Sequence, residues 1–97
     1  MYAFVQDVPI KEDIYAKIRK ALGPAPPEGL VLHLVLGRED GMLRYVDVWR
    51  DKAACDAAFR ERIHPAVYGV FQEIGFKPDG EPKREVMPVV HLWRGEG

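Results

Sequence analysis

The sequence predicts an α+β sandwich, one four-stranded antiparallel sheet with two helices, in the order β-α-β-β-α-β. Four short segments are apolar or alternate with a period of two. Two longer segments repeat apolar residues every three to four positions. The breaks between them carry glycine and proline, which punctuate chains rather than continue elements.

The first strand is Tyr2 to Val8, bounded by Pro9. A helix follows, with Ile10, Ile14, Ile18 and Leu22 recurring at i+4 and Ala21 beside them. Glu12 and Asp13 sit in its first turn and Arg19 and Lys20 in its last, where the helix dipole favours each sign. Gly23-Pro24 stops it, and Pro24 to Gly29 is a stiff connector. Leu30 to Leu36 is a second strand, apolar at six of seven positions, so both of its faces must be covered. Gly37 to Gly41 is a hairpin loop, and Met42 to Arg50 returns as the third strand. Asp51 is the N-cap available to the second helix, whose apolar stripe is Cys55, Phe59, Ile63, Val67, Val70, Phe71 and Ile74. Pro65 is expected to kink this helix or start a new segment, with His64 pushed out of helical geometry. Gly75 ends it, Lys77 to Lys83 is a polar loop, and Glu85 to Arg94 is the fourth strand, with Pro88 pointing to an edge or a bulge.

This order is the ferredoxin-like, split βαβ sandwich. Right-handed crossovers arrange its strands 4-1-3-2. The 97 residues make one domain, residues 1–97, able to bury roughly two-thirds of the unfolded chain's surface around one modest core.

Composition narrows function mainly by exclusion. Hydrophobic residues are 47% and charged residues 30%, an ordinary globular balance. Net charge is −1, without the basic excess of a nucleic-acid binder. No apolar run reaches the roughly 18 residues of a membrane helix, and the first residues lack the pattern of an export signal. With one cysteine, Cys55, there is no internal disulfide, and the expected compartment is a reducing cytoplasm. The chain has no Ser, Thr or Asn. Hydroxyl nucleophiles of the serine and threonine type are therefore excluded, as are phosphate loops ending in Lys-Ser/Thr.

Alternation sorts the strands into two faces. One holds Ala3, Val5, Leu30, Leu32, Leu34, Leu36, Val46, Val48, Val86, Val90 and Leu92, nearly all aliphatic. The other holds Phe4, Gln6, Val8, Val31, His33, Val35, Leu43, Tyr45, Asp47, Trp49, Met87, Val89, His91 and Trp93. Both are too apolar for water, and two helices cover only one of them. A second copy placed sheet to sheet about a two-fold axis covers the other, so a homodimer is expected. The aromatic face with its polar groups suits a ligand cavity, while parity alone leaves open which face the helices meet.

Gly29-Leu30-Val31-Leu32-His33 before the hairpin, Val46-Asp47-Val48-Trp49, Arg62-Ile63-His64-Pro65-Ala66 and Pro88-Val89-Val90-His91 resemble one group. It is the small actinobacterial-type proteins of the dimeric α+β barrel superfamily, near the antibiotic-biosynthesis monooxygenase family. The resemblance covers nearly the whole chain. It implies a homodimer whose sheets close a barrel, with a cavity between each sheet and its own helices. Relatives include cofactor-free oxygenases, haem-degrading enzymes, isomerases and signal-processing proteins. The haem-degrading pattern uses an Asn on strand one and does not carry over; Gln6 lies near that position.

The catalytic candidates are His33 and Asp47. Hairpin pairing sets His33 opposite Tyr45 or Asp47, and a carboxylate beside an imidazole fixes its tautomer and makes it a general base. Tyr45, Trp49, His91, Trp93, Phe4 and Gln6 are candidate substrate-binding residues, aromatic walls with polar handles. Cys55 reads as core and His64 as a turn-ending residue. No metal-ligand spacing and no cofactor motif is present. Three functions follow. The first is a dimer binding an apolar or aromatic small molecule, acting as a cofactor-independent monooxygenase- or isomerase-like enzyme. The second is a non-catalytic binding or regulatory dimer, and the third a haem or metal binder using His64 or His33.

Overall fold

A computed structural model describes residues 1–95. Its strands are β1 (Tyr2–Val8), β2 (Leu30–Gly37), β3 (Leu43–Trp49) and β4 (Arg84–Pro88). Its helices are α1 (Glu12–Leu22), α2 (Lys52–Ala58) and α3 (His64–Ile74). The sheet is antiparallel in the order β2-β3-β1-β4, as expected from handedness, with β4 on an edge. Asp51 caps α2, its carboxylate accepting from the Ala54 amide at 2.8 Å. No described helix is long and apolar enough to cross a membrane.

The helices meet the aromatic face. Phe4, Trp49, Cys55 and Ala58 form one buried cluster between sheet and α2. Val8, Leu43, Ile10, Ile18 and Val70 form another between sheet, α1 and α3. The opposite face stays open. Cross-strand pairing lines up Leu32, Val48, Ala3 and Met87 in one row, and Leu34, Val46 and Val5 in the next. Leu34 and Leu36 are left 43% and 45% exposed, far more than a buried core allows.

Three details depart from the sequence reading. The pairing of β2 with β3 shifts between Leu30 and Leu32, so Leu30 stands opposite Trp49 and packs into the helix-side cluster instead of the aliphatic face. A bulge of this kind adds one residue and reverses parity. The bulge sits beside a close approach: Gly29 has φ +85°, and a Cβ there would come 2.5 Å from the Cβ of Ala54.

Strand four is the second departure. Val86 pairs with Phe4 and Met87 with Ala3, so Met87 belongs to the open face and Val86 to the helix side. The strand also stops at Pro88, which faces Tyr2, the first residue of β1. Beyond that point no partner strand remains to receive hydrogen bonds. Val89 to Arg94 therefore leaves the sheet, and the two-face sorting does not apply to it.

The third concerns His64; Pro65 itself, as expected, stands in the first turn of a new helical segment, α3. The chain from Lys52 to Ile74 stays helical throughout, and His64 is helical at φ −58°, ψ −46°. The turn before it, Phe59–Ile63, is π-helical, with the His64 amide donating to the Phe59 carbonyl five residues back. A proline has no amide to give and crowds the carbonyl four residues behind. The wider turn relieves that crowding without breaking the helix.

Candidate functional site

Between the sheet and the helices lies a cavity of about 240 Å³. The strands contribute Gln6, Val8 and Tyr45. The helices contribute Ile18, Ile63, Val67, Phe71 and, at the widened turn, Phe59 and His64. The loop from Pro78 to Pro82 adds Pro78, Gly80, Glu81 and Pro82 to the lining. The walls are mostly apolar, with polar groups confined to Gln6, Tyr45, His64, Tyr68 and Glu81, the usual make-up of a small-molecule site.

His64 is the imidazole of this cavity. Its Nε2 lies 3.1 Å from Glu81 Oε1. Its ring stacks on Tyr68, centroids 5.4 Å apart, and meets Phe59 edge-on at 5.4 Å. Glu81 is also approached at 3.5 Å by Arg84, whose guanidinium lies over the rings of Phe59 and Phe4. The loop is tied down again by Gln6, whose amide donates to the Pro82 carbonyl at 2.8 Å. Burial raises the Tyr45 hydroxyl well above the usual phenol range, so it remains an O–H donor at any ordinary pH.

A second histidine–carboxylate pair lies on the same side of the sheet. His33 faces Asp47 across β2 and β3, and Nδ1 donates to Asp47 Oδ1 at 2.5 Å. The other carboxylate oxygen accepts from the Trp49 indole at 3.1 Å. With its proton on Nδ1, His33 takes the Tyr15 hydroxyl's hydrogen bond at Nε2, 2.8 Å away. This chain is built from three elements: Tyr15 from α1, His33 from β2, and Asp47 and Trp49 from β3. Asp47 is 3% exposed and has both oxygens occupied. Neither His33 nor Asp47 lines the cavity. Tyr45 touches both places, lining the cavity and packing against His33 with centroids 5.2 Å apart.

No family model matches the chain, and no curated protein matches it. Among solved structures, it is similar to a Deinococcus radiodurans protein that carries the provisional description antibiotic biosynthesis monooxygenase, at 12% identity, TM-score 0.63 and full coverage of both chains. The two chains share a fold. That fold, a ferredoxin-like α+β sandwich, is the one the sequence resemblance implied.

The remaining candidates separate. Phe4 and Trp49 are core residues, each 1% exposed, packed against Cys55 and Phe59 instead of the cavity. Gln6 and Tyr45 line the cavity. His91 and Trp93 fall beyond β4, exposed and near each other, centroids 6.1 Å apart, and join neither site. Burial pushes the Cys55 thiol up to about 11, which keeps it protonated and unreactive. Among the described residues no three His, Cys, Asp or Glu side chains gather as a metal site would need. Sequence reasoning missed Tyr15, Tyr68 and Glu81, and it took His64 for a turn-ending residue. The signal for His64 was present: a His-Pro pair inside an unbroken apolar stripe requires a special turn, and such turns gather at functional sites.

Proposed function

We propose that the protein is a homodimer that binds a small, planar, largely apolar molecule between its sheet and helices, in an oxygenase- or isomerase-like enzyme of the reducing cytoplasm. The observation that carries the reading is the cavity: apolar walls with a few polar groups among them. Its size sets the ligand's. A cavity of about 150 Å³ admits benzene, and drug-sized pockets begin near about 300 Å³. About 240 Å³ therefore suits one substituted ring or two fused ones. The description given to the Deinococcus protein supports an oxygenase on this scaffold. Proton transfer is the chemistry that the cavity's own side chains supply.

The dimer reading rests on the open aliphatic face. Ala3, Val5, Leu32, Leu34, Leu36, Val46, Val48 and Met87 share that side of the sheet, and Leu34, Leu36 and Met87 are left 43%, 45% and 42% exposed. His33 and Asp47 act in this reading as positioning residues. They fix the face on which Tyr45 presents its hydroxyl.

Naphthalene is the test ligand, followed by calorimetry. It should bind, and Val67→Phe, which fills part of the cavity, should weaken binding at least tenfold in a folded protein. No heat of binding, or equal affinity in the variant, overturns the binding reading. Light scattering should give twice the 11.0 kDa chain mass at micromolar concentration, and the chain mass alone overturns the dimer.

A further inference from the structure

We infer that His64, held by Glu81, is the general base of the cavity and that the ligand class it serves is a one- or two-ring phenol or enol. The inference rests on the cavity-binding reading above and adds the residue and the substrate group. Four observations meet at this point. His64 lines the cavity. Its Nε2 faces Glu81 at 3.1 Å, and a carboxylate only accepts, so the proton sits on Nε2 and the lone pair on Nδ1. Nδ1 has no hydrogen-bond partner among the described residues, and it is not sealed away as a buried orphan. The ring's tilt is set by Tyr68 on one side and Phe59 on the other, so the base is held before a ligand arrives.

The groups around the imidazole agree with that role. Glu81 comes from the loop, Arg84 reaches the same carboxylate from β4, Tyr68 lies along α3, and Tyr45 lines the cavity from β3. Among the described residues, Glu81 is the charged group in contact with the imidazole. In the step, Nδ1 takes the proton of the ligand's hydroxyl. The O–H bond breaks, an N–H bond forms, and the electron pair stays on oxygen. The product is a phenolate or enolate beside an imidazolium paired with Glu81. The Tyr45 hydroxyl remains available to donate to a second oxygen of the ligand.

The experiment compares naphthalene with 2-naphthol. Both should bind the native protein, and bound 2-naphthol should show the naphtholate absorption band at neutral pH, where free naphthol is protonated. His64→Gln should bind 2-naphthol more weakly and only in its neutral form. Glu81→Gln, on an exposed loop that places little of the fold at risk, should lower the naphtholate band by about threefold or more, because the charged acceptor of the Nε2 hydrogen bond is gone. If naphthalene does not bind, the cavity reading itself fails. If both ligands bind and no naphtholate forms, or the band survives His64→Gln, the base assignment is overturned while the cavity reading stands. If His64→Gln does not fold, an unchanged band in Glu81→Gln overturns the pair.

Discussion

Two histidine–carboxylate pairs lie on the helix side of one sheet, and they are built to opposite ends. His33 has both ring nitrogens occupied, by Asp47 and by Tyr15, and Asp47 is itself shared with Trp49. His64 has one nitrogen occupied and the other open, beside a cavity. The difference lies in what the second nitrogen meets. A histidine with two protein partners is a strut between elements, here tying α1 to β2 and β3. A histidine with one partner and an unpaired nitrogen, on a residue that lines a cavity, has a lone pair free to accept a proton. Burial divides the carboxylates in the same way, the Asp47 side chain at 5% exposed and that of Glu81 at 43%.

The strongest way to break this comparison is Asp47→Ala. It strips the acceptor from two donors, the His33 Nδ1 and the Trp49 indole, the second fully inside the core. Leaving the buried indole unpaired, with His33 at 29% side-chain exposure left to water, costs roughly 2–3 kcal/mol, mostly from the indole. In a domain of this size that lowers the melting temperature by on the order of 10–25 °C. Thermal unfolding by circular dichroism measures it, and a loss below a few degrees denies the strut.

His33→Gln comes next. Glutamine keeps hydrogen-bonding groups but fits the Asp47 and Tyr15 contacts imperfectly, so roughly 1–2 kcal/mol should be lost. Naphthalene affinity, measured in the same preparation, should stay within about threefold, because His33 does not line the cavity. Intact stability together with lost naphtholate formation would return the catalytic role to His33.

Tyr15→Phe is gentler. It leaves the ring against His33 and Tyr45, whose centroids lie 6.1 and 5.7 Å away, and removes only the hydroxyl. The His33 Nε2 is then free to meet water, so the cost should stay under about 1 kcal/mol. Nitrogen chemical shifts of the imidazoles should move for His33 and not for His64.

The two pairs were unequally legible in the chain. His33 and Asp47 could be paired from the sequence because a hairpin sets register within a residue or two, and parity then chooses the face. Tyr15 could not be added. It stands on α1, and which sheet residue a helical side chain reaches depends on how the helix lies across the sheet. Strand four failed for a related reason: the loop before it, Lys77 to Lys83, does not set its register, so its parity was free to invert, and its length was decided by where β1 begins. The bulge after Leu30 left no mark because every neighbouring residue is aliphatic. His64 was hidden by Pro65, which signals a helix break unless a wider turn absorbs it.

Glu81→Gln is the smallest expected effect on stability and the one that sharpens the contrast most. Both partners of this pair are substantially exposed, the His64 side chain at 32% and that of Glu81 at 43%. Exposed pairs are worth about 0–1 kcal/mol, since water competes for both groups and two side chains must be held still. Glutamine also keeps an oxygen that can accept from Nε2, and Gln6 still ties the loop at Pro82. The change in unfolding free energy should therefore stay within about 0.5 kcal/mol. Denaturant unfolding at neutral pH resolves a difference of that size when both proteins share one slope. A loss above about 1.5 kcal/mol would mean that the loop is held by this ion pair. His64 and Glu81 would then be a strut as well, and the distinction between the two histidines would fall. A loss near zero, with the acid–base behaviour of the cavity altered, separates a pair kept for the fold from a pair kept for the ligand.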